Sequence, residues 1–268
     1  MKHLLISLIC TSLFSFAGNE TNVAPTVTSL SLSSSTTALN KDETTNLSLQ
    51  ATYANNTRKT LTNNIEWIVN PSDAVQIADH TLTAKKDSNV TVQAKVGNIL
   101  SNTITLNITW VVNGHVLPPE PDKALNDSTL LGIDVNDNGV RDDVERWIYE
   151  TYKDKHPIHI DIAMQAGRAY KQVLETPERA KEIHDTVVNA PYYCGSYYKN
   201  YAKLFNDSTL VYERIDVPVK SKYFNTKDRS DVYREYDKLL SGDSYPLPWP
   251  SEMKSLCDFN TSKYDKEQ

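Results

Sequence analysis

Two periodicities divide this chain. Before residue 112, apolar residues recur at every second position. Leu47, Leu49 and Ala51 do so in TNLSLQATY, Val90, Val92, Ala94 and Val96 in NVTVQAKV, and Ile104, Leu106 and Ile108 in NTITLNIT. A period of two buries one face of a strand and leaves the other to water. VTSLSLS, IEWIV, AVQI and HTLTA bring the prediction to about seven short strands, enough for two packed sheets. Trp67, mid-strand between Ile65 and Val69, is expected to anchor the core between them.

After residue 140 the spacing becomes helical. Val144, Trp147, Ile148 and Tyr152 fall on one face of DDVERWIYETY, and Asp142 and Asp143 suit its start, where the macrodipole is positive. A second stripe runs through Ile162, Ala166, Ala169, Tyr170 and Val173. Thr176 and Pro177 are placed as cap and first-turn residue of TPERAKEIHDTVV. YYKNYAKLF and SDVYREYDKLLSG also read as helices, the latter ending at Gly242, and SEMKSLC as a short final one after an extended YPLPWP.

Composition sharpens the division. All of the fifteen tyrosines except Tyr53 lie after residue 140, while the first half is rich in Thr, Ser, Asn and Val. Residues 113–124 carry three prolines, the expected composition of a stiff, extended linker. Residues 1–17, with Lys2 followed by the largely apolar Leu4 to Phe16 and a small-residue end at Ala17, are expected to be an export signal. The run is too short to span a bilayer, and no later segment is apolar enough. Its loss would remove Cys10 and leave Cys194 and Cys257, an even pair expected to form one disulfide in an exported protein. The alternative is a reactive Cys194 thiol with His184 as its base. The net charge of −6 argues against general nucleic-acid binding, which needs clustered Lys and Arg.

The order of strands in VTSLSLSSSTTALNKDETTNLSLQATYANN, IEWIVNPSDAVQI and HTLTAKKDSNVTVQAKVGN resembles bacterial Ig-like domains of the group 2 type. It departs from them at LNKDET, where they usually carry a glycine before the glutamate. The resemblance implies an Ig-like sandwich over 26–112, used as a spacer or adhesive module. The fold class expected is therefore multidomain: an all-β Ig-like sandwich, a linker at 113–124, and a small mainly α-helical domain over 125–268.

DVNDNGVRDDVE, residues 134–145, is the most chemically specific stretch. A twelve-residue calcium loop needs oxygen donors at positions 1, 3, 5, 9 and 12, a main-chain carbonyl at 7 and glycine at 6. Here these are Asp134, Asn136, Asn138, Asp142, Glu145, Val140 and Gly139. The stretch resembles EF-hand, dockerin and thrombospondin type 3 loops, but Arg141 stands at position 8, where an aliphatic residue usually joins two loops. An unpaired, structural Ca²⁺ loop is the expectation; the alternative is an Asx-rich turn capping the Val144 helix. The region from ALNDSTLLGIDVNDNG to LCDFN also resembles exported bacterial proteins that carry a similar loop and a cysteine followed by Asp-Phe.

Other chemistry is thinner. His156, His159 and Asp161 have metal-like spacing, but Pro157 favours a helix entry. Tyr193, Tyr197 and Tyr201 would share a helical face and are expected to pack inward. NDSTL occurs at Asn126 to Leu130 and again at 206–210, and reads as turn chemistry. The functional expectation is an exported, calcium-binding, non-enzymatic protein: an Ig-like module presenting a helical domain to a surface protein or glycan. The rival is a secreted or periplasmic hydrolase acting on glycans through its helical half.

Overall fold

The structure is a computed structural model and describes residues 25–203 and 214–265. The signal at 1–17, Cys10 and the second NDSTL lie outside the described residues.

Alternation builds ten strands before residue 110: β1 (Val27–Ser34), β2 (Ala38–Asn40), β3 (Thr44–Tyr53), β4 (Arg58–Leu61), β5 (Glu66–Asn70), β6 (Val75–Ala78), β7 (Thr81–Ala84), β8 (Ser88–Val96), β9 (Ile99–Leu100) and β10 (Ile104–Thr109). One sheet runs β1-β3-β7-β6 with β4 added to β3. The other runs β2-β10-β8-β5 with β9 added to β8. Neighbours are antiparallel except β2 with β10. The register sets Leu32 opposite Leu49 and Leu30 opposite Ala51, and Val69 opposite Val92 across the second sheet. The inward residues of both sheets form one apolar core: Leu47, Leu49, Ala51, Val90, Val92, Ala94, Leu106 and Ile108 are all buried, with Trp67 partly buried against them. Removing that much apolar surface from water is the main force holding this half together.

The proline-rich segment does not run as a free arm. Asn113 and Gly114, with φ of +50° and +79°, turn β11 (Val111–Val112) back onto β12 (His115–Val116). Asn-Gly is the favoured two-residue hairpin turn because both positions accept positive φ. Asn113 Nδ2 donates to the Lys153 carbonyl at 2.9 Å, and Leu117 and Pro118 are buried. Arg146, itself buried, holds both carboxylate oxygens of Asp87 at 2.9 Å, donates to the Pro118 carbonyl at 2.7 Å, and packs over the Trp110 ring. Proline composition fixes local backbone but says nothing of partners, which is why an extended arm was expected where a docked strap is found.

The rest of the chain is helical: α1 (Lys123–Asp127), α2 (Asp142–Tyr152), α3 (Ile158–Glu175), α4 (Ala180–Ile183), α5 (Ala190–Ser196), α6 (Asp216–Tyr223), α7 (Lys227–Leu239) and α8 (Pro250–Ser255). The two expected stripes pack together: Val144, Ile148 and Tyr152 of α2, and Ile162, Ala166, Tyr170 and Val173 of α3. Thr176 is not a side-chain cap. Its hydroxyl donates back to the Gln172 carbonyl, and a 3₁₀ turn at Pro177–Arg179 leads into α4. Cys194 and Cys257 form the disulfide, with Cα atoms 5.2 Å apart, so the reactive-thiol reading is set aside. Tyr193 is buried and Tyr197 partly so, but Tyr201 is 53% exposed although its ring stacks on that of Tyr197. Among the described residues no helix is long and apolar enough to cross a membrane.

Candidate metal centre

The loop at 134–145 forms because its short polar side chains hydrogen-bond their own backbone, which turns the chain without a strand or helix. Asp134, at position 1, accepts from the amides of Asn138 (3.2 Å) and Gly139 (3.0 Å). Asn136 and Asn138 accept from the amides two residues on, Asn138 and Val140. Gly139 has φ +84°, a conformation that other L-residues rarely adopt. Val140 is completely buried against α3, where Gly167 leaves room for it: a Cβ there would lie 2.8 Å from Val140 Cγ1.

Three expected donors converge. Glu145 is fully buried at the first turn of α2, and its Oε2 receives Nδ2 of both Asn136 (3.2 Å) and Asn138 (2.6 Å). Positions 3, 5 and 12 therefore meet at one point. Turning either amide by half a turn would present an oxygen instead of a nitrogen to that point, at the cost of the hydrogen bond its Oδ1 now accepts from the amide two residues on. Asp142, at position 9, is also fully buried. Its carboxylate accepts from the Val135 amide at 3.2 and 3.3 Å and has no cationic partner among the described residues. Desolvation pushes its pKa up to about 6, and the negative charges of Asp134, Glu145 and Asp143 push the same way, against the Val135 hydrogen bond. No three Asp, Glu, His or Cys side chains among the described residues cluster as a metal site by themselves. A cation here would depend on the two asparagines and a main-chain carbonyl as well, the mixed oxygen set that suits a hard ion such as calcium.

Some neighbours of the loop were not foreseen. His115, from the hairpin, places Nε2 2.7 Å from Glu145 Oε1 and stacks on Tyr149 with ring centroids 4.3 Å apart. Arg141, the departure at position 8, is fully buried and turns away from the loop: it pairs with Asp143 and donates to the carbonyls of Tyr223 and Lys222. The loop position that elsewhere joins two loops here fastens one loop to α6. Arg168, whose Cγ lies 3.1 Å from where a Gly139 Cβ would be, forms a two-pronged ion pair with Asp258. The Asp after Cys257 thus ties the chain's tail back toward the loop.

The remaining candidates resolve into packing. His159 is buried, stacks on Tyr152 and has Nδ1 2.9 Å from the His156 carbonyl, while Asp161 faces Lys263 and Tyr264. His184 has Nδ1 2.8 Å from Tyr236 Oη and Nε2 3.1 Å from Asn189 Nδ2, and burial lowers its pKa. With both ring nitrogens engaged by neighbours, it is poorly placed to move a proton for a substrate. No known protein-family model matches this chain, and no curated protein is significantly similar to it.

Proposed function

We propose that this is an exported calcium-binding protein in which an Ig-like β module presents a calcium-stabilised helical domain to a surface partner, a protein or a glycan. Two sheets around one core, with a tryptophan strand in the second, support the Ig-like reading. The cysteine pair is compatible with export.

The observation that carries the calcium reading is the pair of fully buried carboxylates, Asp142 and Glu145, on a loop whose amides converge on Glu145 Oε2. Burying a charge without a cation or full hydrogen bonding is costly. A divalent ion held by Asp134, Asn136, Asn138, Val140, Asp142 and Glu145 would remove that cost. Its role is structural: it would fix the loop against α2, and through His115 and Arg146 it would influence how the hairpin docks. Two amides in the set lower its charge, so affinity falls roughly in the 10⁻⁴ to 10⁻³ M range.

Titration calorimetry on the mature protein tests this. Binding heat is expected at millimolar Ca²⁺, and Glu145→Gln should weaken it more than Asn136→Ala, since Glu145 is the point of convergence. No binding heat would leave the loop as a polar cap on α2.

A further inference from the structure

A cleft of about 370 Å³ opens on the helical half between Asp185, Tyr193 of α5, residues 246–249 and α8. One wall is apolar and presented to solvent: Trp249 is 75% and Leu247 69% exposed. Pro246, Pro248 and Pro250 restrict the backbone of that wall, which runs without strand or helix up to Trp249. The Cys194–Cys257 disulfide joins α5 to the chain just after α8.

The other chemistry in the cleft is acidic. Glu252 uses Oε2 to accept from the Trp249 amide at 2.7 Å, and Asp185 Oδ1 lies 3.4 Å from both Tyr193 Oη and Asn189 Nδ2. Neither carboxylate has a cationic partner among the described residues. Cations on neighbouring elements are committed elsewhere: Lys181 to Asp243, Lys254 to Asp265 and Arg214 to Asp216.

We propose that this cleft receives a lysine or arginine side chain from a basic segment of a partner protein. An exposed indole face attracts a cation through its quadrupole, carboxylates beside it supply charge-assisted hydrogen bonds, and the apolar wall takes the methylene stem. The volume suits one long side chain rather than a folded surface. A neutral sugar would stack on the same ring but gain nothing from the two negative charges beside it. The proposal deepens the reading of the helical half as a presented module and chooses protein over glycan. It does not need the calcium reading, which calcium calorimetry tests separately.

The test is calorimetric titration of the protein, without added calcium, with a hexa-arginine peptide, its neutral hexa-citrulline counterpart and a neutral chito-oligosaccharide. The arginine peptide is expected to bind and the two neutral probes are not. Trp249→Ala removes an exposed side chain and should weaken binding about tenfold. Glu252→Gln, which keeps an acceptor for the Trp249 amide, and Asp185→Asn should each weaken it severalfold. Equal binding by Trp249→Ala and the parent would show a general effect of the acidic surface and overturn the proposal. So would binding of the oligosaccharide in place of the peptide.

Discussion

In the β half, the buried polar residues among those described are Thr45 and Ser101, both uncharged, and the covered carboxylate of Asp87 lies at the junction, paired with Arg146. In the helical half they include Arg141, Asp142, Glu145, Asp216 and Arg229, together with Arg146 at the junction. Ser101 shows how the first half manages: its hydroxyl accepts from the Ala94 amide and donates to the Asn102 carbonyl. The helical half buries ions. Arg229 is fully enclosed and donates to the carbonyls of Asn126, Thr129 and Leu130 and to the side chains of Asn225 and Asp127. Arg214 covers Asp216, and Asp87 receives Arg146. Asp142 has no cationic partner among the described residues: its carboxylate accepts from the Val135 amide and otherwise feels the charges of Asp134, Glu145 and Asp143. A neutral core is complete once its strands pair, whereas a charged core needs each ion answered, and the β half and the helical half should therefore respond differently to the same insult.

The largest separation should come from removing the cross-link. Replacing Cys194 and Cys257 by serine frees a segment of 63 residues, worth about 4 kcal/mol in the chain-entropy model. Chemical unfolding should show that loss in the helical half, with the β half within error of the parent. Arg229→Met comes next. It preserves bulk but strands the buried acceptors of residues 126–130, and a loss of about 3 kcal/mol is expected, again confined to the helical transition. Gly167→Ala is smaller, about 2 kcal/mol, because the added Cβ meets Val140 Cγ1 at 2.8 Å and must push the loop off α3. It should also weaken calcium binding, whereas an alanine on the solvent face of α3 should not.

The smallest effect is in pH. Without an ion, the raised Asp142 pKa means that this group favours folding in its protonated form. That contribution is complete below pH 3.8 and is lost as pH rises through about 6. On the calcium proposal the ion would take the ionised form, so the stabilisation it adds should grow between pH 5 and pH 7. Thermal unfolding of the helical half with and without calcium at the two pH values measures this. A calcium increment that shrinks over the same interval would mean that Asp142 is not in the site.

What the sequence disclosed follows the same division. Leu47, Leu49 and Ala51 could be read as inward because a period of two has only two faces, and the structure buries all of them. The α2 and α3 stripes were legible for a similar reason, and the cysteine pair by parity. Tyr201 keeps the expected face, stacked on Tyr197, but is exposed, because the spacing of a stripe does not say how far along it the covering elements reach. The loop's spacing placed Asn136, Asn138 and Glu145 together, as the structure does. His115, Arg146 and Arg229 were missed because their acidic partners lie 30 to 102 residues away, and a long-range ion pair leaves no periodic mark. The hairpin at Asn113 and Gly114 did carry a local signal, the Asn-Gly pair, hidden among prolines.

Amide hydrogen exchange of the protein, with millimolar Ca²⁺ against chelator, tests the central claim most directly, because it reads both halves in one sample. Calcium should slow exchange through residues 134–152 and into α3, and leave β3, β8 and β10 unchanged. Identical exchange with and without calcium in residues 134–152 would contradict it.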